Sequence, residues 1–155
     1  MKYSDITKRH NQFKMDWLWE WYQETAQLWR QCVAWVKIYS KEVYGITLWS
    51  FWGTAYNGRL NKNDTFDMKV FNKVEYNGTN KPPVWSLVFF KPDASNWQAG
   101  HVGICDLRIK KGISILEQNG GGKGNNAPGD EFTLRNRWLK SCLWRYIPIL
   151  DTNIW

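Results

Sequence analysis

Residues 101–120, HVGICDLRIKKGISILEQNG, constrain the fold more than any other stretch. Two runs rich in Val, Ile and Leu flank Lys110-Lys111-Gly112, and such runs around a short glycine-containing loop form a β-hairpin. With a three-residue loop whose Gly112 takes the left-handed position, the odd-numbered residues of both strands share one face. That face carries His101, Gly103, Cys105, Leu107 and Ile109 on the first strand, and Ile113, Ile115, Glu117 and Asn119 on the second. It is apolar near the turn and polar at its open end. The simple register puts Asn119 diagonal to His101 and Glu117 one pair further in; a bulge or a longer loop would bring Glu117 closer.

Further short β-rich runs, VWSLVFFK and CLWRYIPI, stand between Gly and Pro clusters in the second half. The first half reads differently. Leu28, Cys32, Trp35, Val36, Tyr39 and Val43 recur as one face of a helix, with Gly45 as its C′ residue. Residues 46–81 are mostly connecting structure, rich in Asn and Gly, with one short strand at MKVFNKVEY. Helices first and strands later make an α+β pattern. At 155 residues, with no break in composition and no internal repeat, the chain reads as one domain spanning 1–155. Its first 29 residues form a Trp-rich arm packed on or beside that domain.

The chain holds twelve Trp. Met15, Trp17, Trp19 and Trp21 alternate as on a strand, whereas Trp17, Leu18, Trp21 and Tyr22 fit a helix. Core packing is the plainer use of these indoles, and a stacking surface for sugars or bases is the other. The net charge of +7 is spread along the chain and points to an anionic partner. No apolar run approaches the ~18 residues of a membrane span, and the polar start MKYSDITKRHNQ lacks the apolar segment of a secretory signal. Cys32, Cys105 and Cys142 are odd in number and lack CxxC spacing, so neither a disulfide framework nor a zinc site is expected. Cys105 and Cys142 read as packed strand residues, and His10 as a solvated side chain. The run GGGKGNNAPGD, 120–130, lacks the order of a phosphate loop and reads as a connection beside the cleft.

A cysteine at a helix start and a histidine with a carboxylate or amide on a facing strand are the parts of a thiol acyl-transfer site. The thiolate is the attacking species, and a helix N-terminus and a neighbouring imidazole both favour it. Cys32 is the candidate nucleophile and His101 the candidate base. Glu117 or Asn119 would orient the imidazole, and sequence leaves open which. The side-chain amide of Gln31 and the backbone N–H of Cys32 could hold the oxyanion of a tetrahedral intermediate.

These residues resemble a known family. QCVAWVKIYSKEVYG, then GTA at 53–55, LVFF, GHVGIC and ILEQN, in that order, look like the cysteine, histidine-dependent amidohydrolase/peptidase (CHAP) domain. The resemblance runs from about Gln31 to Pro148. It implies a papain-like (NlpC/P60-type) α+β fold, with N-terminal helices packed on a twisted antiparallel sheet and the cleft between them. It assigns Cys32 as nucleophile, His101 as base, Glu117 as third member and Asn119 as an accessory residue. Two departures stand out. Many members carry Gly-Asp where this chain has Trp85-Ser86, and many have an acidic, Gly-containing calcium loop where it has WYQETAQLWR. No cofactor and no metal site are expected.

The resemblance further implies a peptidoglycan hydrolase that cleaves an amide bond, as an N-acetylmuramoyl-L-alanine amidase or as a stem or cross-bridge endopeptidase. Such a protein resembles a phage endolysin. Its substrate would be bacterial peptidoglycan, with charge-driven attraction to anionic envelope polymers, and it would act at the cell wall as a monomer. With no signal segment, it would be released from the host cytoplasm by the lysis machinery or carried in a virion. The rival reading is a non-catalytic module of the same fold that binds an envelope polymer or nucleic acid.

Overall fold

In the computed structural model, residues 2–18, 32–47, 71–75, 77, 79–91, 100–118, 133–139 and 142–148 are described. The first element is helix α1 (Tyr3–Trp17), which buries Ile6, His10 and Phe13 along one face. Asp5 in its first turn and Lys14 in its last suit the helix dipole. Met15 and Trp17 therefore lie on a helix and their strand-like alternation is not used; Trp19, Trp21 and Tyr22 fall outside the described residues.

Helix α2 (Cys32–Tyr39) continues into a π-helical turn (Ser40–Tyr44). Cys32, Trp35, Val36, Tyr39 and Val43, the face read from the sequence, are all buried. Gly45 ends the helix at φ 74°, and the next N–H, that of Ile46, bonds back to the Ser40 carbonyl at 3.0 Å. Such a left-handed stop is easiest for glycine. The expected start at Leu28 lies outside the described residues.

Among the described residues six strands form one antiparallel sheet: β1 (Phe71–Glu75), β2 (Leu87–Phe90), β3 (His101–Ile109), β4 (Gly112–Glu117), β5 (Thr133–Trp138) and β6 (Cys142–Pro148), in the order β1-β6-β2-β3-β4-β5. β1 falls within the strand expected at 68–76. β5, TLRNRW, lies beyond the sequence expectation: it is polar, largely exposed and outermost among the described strands, so it carries no apolar alternation.

Buried residues line both faces of the sheet. Leu87, Phe89, Val102, Ile104 and Leu116 pack with Ile6 and Phe13 of α1 and with Trp35, Val36 and Tyr39 of α2. Val88, Phe90, Cys105, Ile113, Ile115 and Cys142 form a second cluster. Phe13 meets Trp35 and Tyr39 edge-on, with ring centroids 6.0 and 5.0 Å apart. Each large apolar side chain fully removed from water contributes about 1.5–3 kcal/mol, so this aromatic layer is the main attachment of the helices to the sheet.

The central hairpin differs from the sequence reading in its turn. Ile109 pairs with Gly112, so the loop is Lys110-Lys111 and not Lys110-Lys111-Gly112. The parity of the open end is restored by a bulge: Cys105 pairs with Ile115 and Leu107 with Ser114, which leaves Asp106 as the extra residue. Continued to the open end, this register sets Gly103 opposite Glu117, and Glu117 rather than Asn119 diagonal to His101. Gly103 keeps that crossing open, since a Cβ there would lie 2.8 Å from Ile115 Cδ1 and 3.5 Å from Glu117 Cβ.

Trp85, where the resembled pattern has glycine, takes φ 70°. A left-handed backbone costs an L side chain roughly 1–2 kcal/mol. It is held there by the bond from its N–H to the Cys105 carbonyl at 2.7 Å and by the Tyr44 hydroxyl, which donates to the Trp85 carbonyl. Its indole meets Tyr3 of α1 edge-on at 4.8 Å.

Candidate active site

Cys32 stands at the head of α2 and is buried, with its helix packed against β3. His101 opens β3, where its ring lies tilted beside Phe90 with centroids 6.0 Å apart. Glu117 closes β4 with its carboxylate wholly buried. The His101 Nε2–H donates to Glu117 Oε2 at 2.9 Å, which leaves Nδ1 as the ring nitrogen available to the Cys32 thiol.

The electrostatics tie the three together. Burial works against a charged imidazole, but the charge and hydrogen bond of Cys32 and then those of Glu117 outweigh it, and the His101 pKa is pushed up to about 9. Glu117 shows the opposite balance. Burial pushes its carboxyl up, yet the bonds and charges of His101 and Arg137 hold it below the usual carboxylate range. At neutral pH the site therefore holds an imidazolium between a sulfur and a carboxylate.

Sequence reasoning missed the second partner of Glu117. Arg137 of β5 bonds both carboxylate oxygens, Nε to Oε2 at 3.1 Å and Nη2 to Oε1 at 2.7 Å, while its guanidinium lies 5.8 Å from the Phe90 ring centre. Arg135, more exposed, approaches Oε1 at 3.5 Å. A bidentate arginine fixes the plane of a carboxylate as well as its charge. The available signal was the spacing of two arginines, one strand period apart, in a run that pairs with β4.

The structure thus brings together Cys32, His101 and Glu117. Gln31 and Asn119 lie outside the described residues, as does the 120–130 run. Cys105 and Cys142 are packed, and none of the three cysteines is joined in a disulfide. His10 corrects the sequence reading: it is buried and not solvated, with Nδ1 2.7 Å from the Tyr39 hydroxyl and Nε2 donating to Asp106 Oδ1 at 2.8 Å. Among the described residues no group of His, Cys, Asp or Glu is arranged to hold a metal ion, and no helix is long and apolar enough to cross a membrane.

Known structures share this architecture. The crystal structure of a wild-type endolysin, LysIME-EF1, matches with a TM-score of 0.73 at 12% identity, covering 98% of this chain and 66% of that one. This chain thus spans about two thirds of the length of that endolysin. No curated protein sequence matches. The family model of the CHAP domain matches residues 21–119, a span that begins upstream of Cys32 and ends just past Glu117, and the chain belongs to the CHAP domain family.

Proposed function

We propose that this chain is a cysteine hydrolase of bacterial peptidoglycan, working as a phage lysin. The reading is carried by one observation: a buried imidazole bonded to a carboxylate on one side and interacting with a helix-borne thiol on the other. Family membership gives the substrate class its support, and the +7 charge suits approach to an anionic wall.

The chemistry follows from the ionisation. The Cys32 thiolate attacks the carbonyl carbon of the scissile amide, forming a C–S bond and an oxyanion. The backbone N–H of Cys32 and the amide of Gln31 donate to that oxyanion. When the C–N bond breaks, the His101 imidazolium gives its proton to the leaving amine and becomes neutral. It then takes a proton from water, whose oxygen attacks the thioester; the acid product leaves and the thiolate–imidazolium pair is restored. Glu117 accepts from Nε2 throughout and keeps Nδ1 turned to the sulfur, with Arg137 fixing the carboxylate.

The bond cut is the glycan–peptide amide or one within the stem or cross-bridge peptides. Mass analysis of fragments released from purified walls of several chemotypes decides between them. New amino termini on free stem peptides, with the lactyl group left on glycan, mark an amidase; shortened or uncrossed peptides mark an endopeptidase. No released fragment from any wall, together with a Cys32 that is alkylated no faster than an ordinary thiol, would overturn the reading in favour of a binding module.

A further inference from the structure

On the far side of the sheet from the His101–Glu117 pair lies a polar cluster that the proposed chemistry does not use. Asp106 is 3% exposed, and its Oδ1 accepts from His10 Nε2 and from Lys14 Nζ, each at 2.8 Å. Both donors belong to α1, and Tyr39 of α2 completes the surroundings through His10. Burial pushes the Asp106 carboxyl up, but the bonds from His10 and Lys14 hold it below the usual range. Taking such a charge out of water is costly unless it is paired. A buried, doubly bonded aspartate on a β-strand therefore has a position it cannot easily leave.

That position is the bulge. Without the extra residue, the Lys110-Lys111 turn would run its register on unbroken, pairing Cys105 with Leu116 and Ile104 with Glu117. A one-residue slip moves every side chain to the other face. Glu117 would then share the face of Val102 and Ile104, turned away from His101. The observed pairing of Cys105 with Ile115 and of Ile104 with Leu116 is what keeps Glu117 on the His101 side. The family match begins at residue 21, so α1, which supplies both donors, lies outside it.

We propose that Asp106 is a positioning residue: clamped by His10 and Lys14, it holds the β3 bulge that brings Glu117 to His101, so that α1 sets the register of the catalytic strand pair. The proposal rests on the roles given above to His101 and Glu117.

The test follows the His101 ring directly, by NMR titration of its imidazole, alongside kcat and KM on wall fragments. In Asp106→Ala, the His101 titration should fall from about 9 towards its ordinary value near 6.5. The kcat should drop towards the ~10²-fold loss expected when an orienting carboxylate is misplaced, with KM little changed. Asp106→Asn keeps the shape and one acceptor oxygen and should preserve most of both. A folded Asp106→Ala with wild-type titration and kcat would overturn the proposal. So would equal shifts in Asp106→Ala and Asp106→Asn, which would show a lost charge acting at a distance instead of a lost bulge.

If Asp106→Ala does not fold, Lys14→Met carries the test from a part-exposed site. A partial fall of the His101 titration supports the clamp, and an unchanged titration overturns it. The titration needs no turnover. Absence of wall cleavage by the wild type would thus remove the functional reading while leaving the register test to be decided by its own result.

Discussion

The molecule contains two buried histidine–carboxylate pairs, one on each side of the same strand. At the open end of β3, His101 lies between Glu117 and a thiol; at the bulge, His10 lies between Asp106 and the phenol of Tyr39. In both, the carboxylate also bonds a basic side chain, Arg137 in one and Lys14 in the other. The third group separates them. Burial, then Tyr44 and Asp106, push the Tyr39 phenol well above its ordinary value, so it stays a neutral hydrogen-bonding group. A thiol titrates near pH 8.5 when free and is intrinsically a strong nucleophile. On the proposed reading, a His–carboxylate pair is not a catalytic signature by itself; the chemical nature of the group it faces, thiol or phenol, separates the pair that reacts from the one that only holds.

Removing the sulfur should break the comparison most completely. Cys32→Ala is expected to abolish release of wall fragments while the fold survives, because α2 packs through Trp35, Val36 and Tyr39. His101→Ala should cost about as much, and the double variant little more, since residues acting as a unit are strongly non-additive. A single variant retaining more than a few per cent of the wild-type rate would contradict the cysteine mechanism.

Glu117→Ala should cost less, roughly 10²-fold, because it orients the ring without moving the proton itself. The pH profile sharpens this. His101 has a folded pKa of about 9, above its unfolded value near 6.5. The stability its protonation adds is fully present below about 6.5 and is lost as pH rises through about 9. Activity that needs the His101 imidazolium should fall on the same alkaline side. Without Glu117 that limb should move to lower pH, and an unmoved limb would show that Glu117 does not act on the ring.

The other pair should answer in stability. Tyr39→Phe leaves a buried imidazole nitrogen without its partner, at a cost of about 1–3 kcal/mol in denaturant unfolding, with little change in kcat. A loss of kcat as large as that of Glu117→Ala would mean the two pairs are not separate in function.

The smallest effect concerns metal. The thirteen residues Glu20 to Cys32 contain only Glu20 and Glu24 as acids and no Gly, whereas calcium takes six to eight oxygen ligands. A chelator is expected to leave activity and Tm unchanged. A loss reversed by calcium alone would point to acids distant in sequence.

Much of this was legible because two departures cancel: the turn is one residue shorter than the sequence suggests and the bulge adds one residue, so the parity of the open end is unchanged. His101, Cys105, Ile115 and Glu117 share a face as period-2 alternation predicts, whereas Leu107 and Ile109, expected on the same face, lie past the bulge and pair with Ser114 and Gly112. The bulge was not readable, since an extra residue has no one-letter signature and Asp106 finds its partners in α1, more than ninety positions away. The same distance hid His10, which looks solvated among Lys8, Arg9 and Asn11. Arg137 was hidden because β5 buries little and so shows no pattern. Gln31 and Asn119 stand as they did in the sequence, and the 1–29 arm is described only through Leu18, as α1 and its cap.

β5 is the outermost strand among the described residues on its side of the sheet, and that place bears on how the protein behaves in concentrated solution. An edge strand offers unpaired backbone groups to any passing chain, and natural sheets discourage that addition with charged side chains on the strand. Arg135 and Arg137 give β5 such charges, and the second is drawn inward to Glu117. The residues that hold the Glu117 carboxylate also make this border a poor template for a second molecule. Replacing them with apolar residues would therefore expose the protein to association through its edge as well as disturb its chemistry.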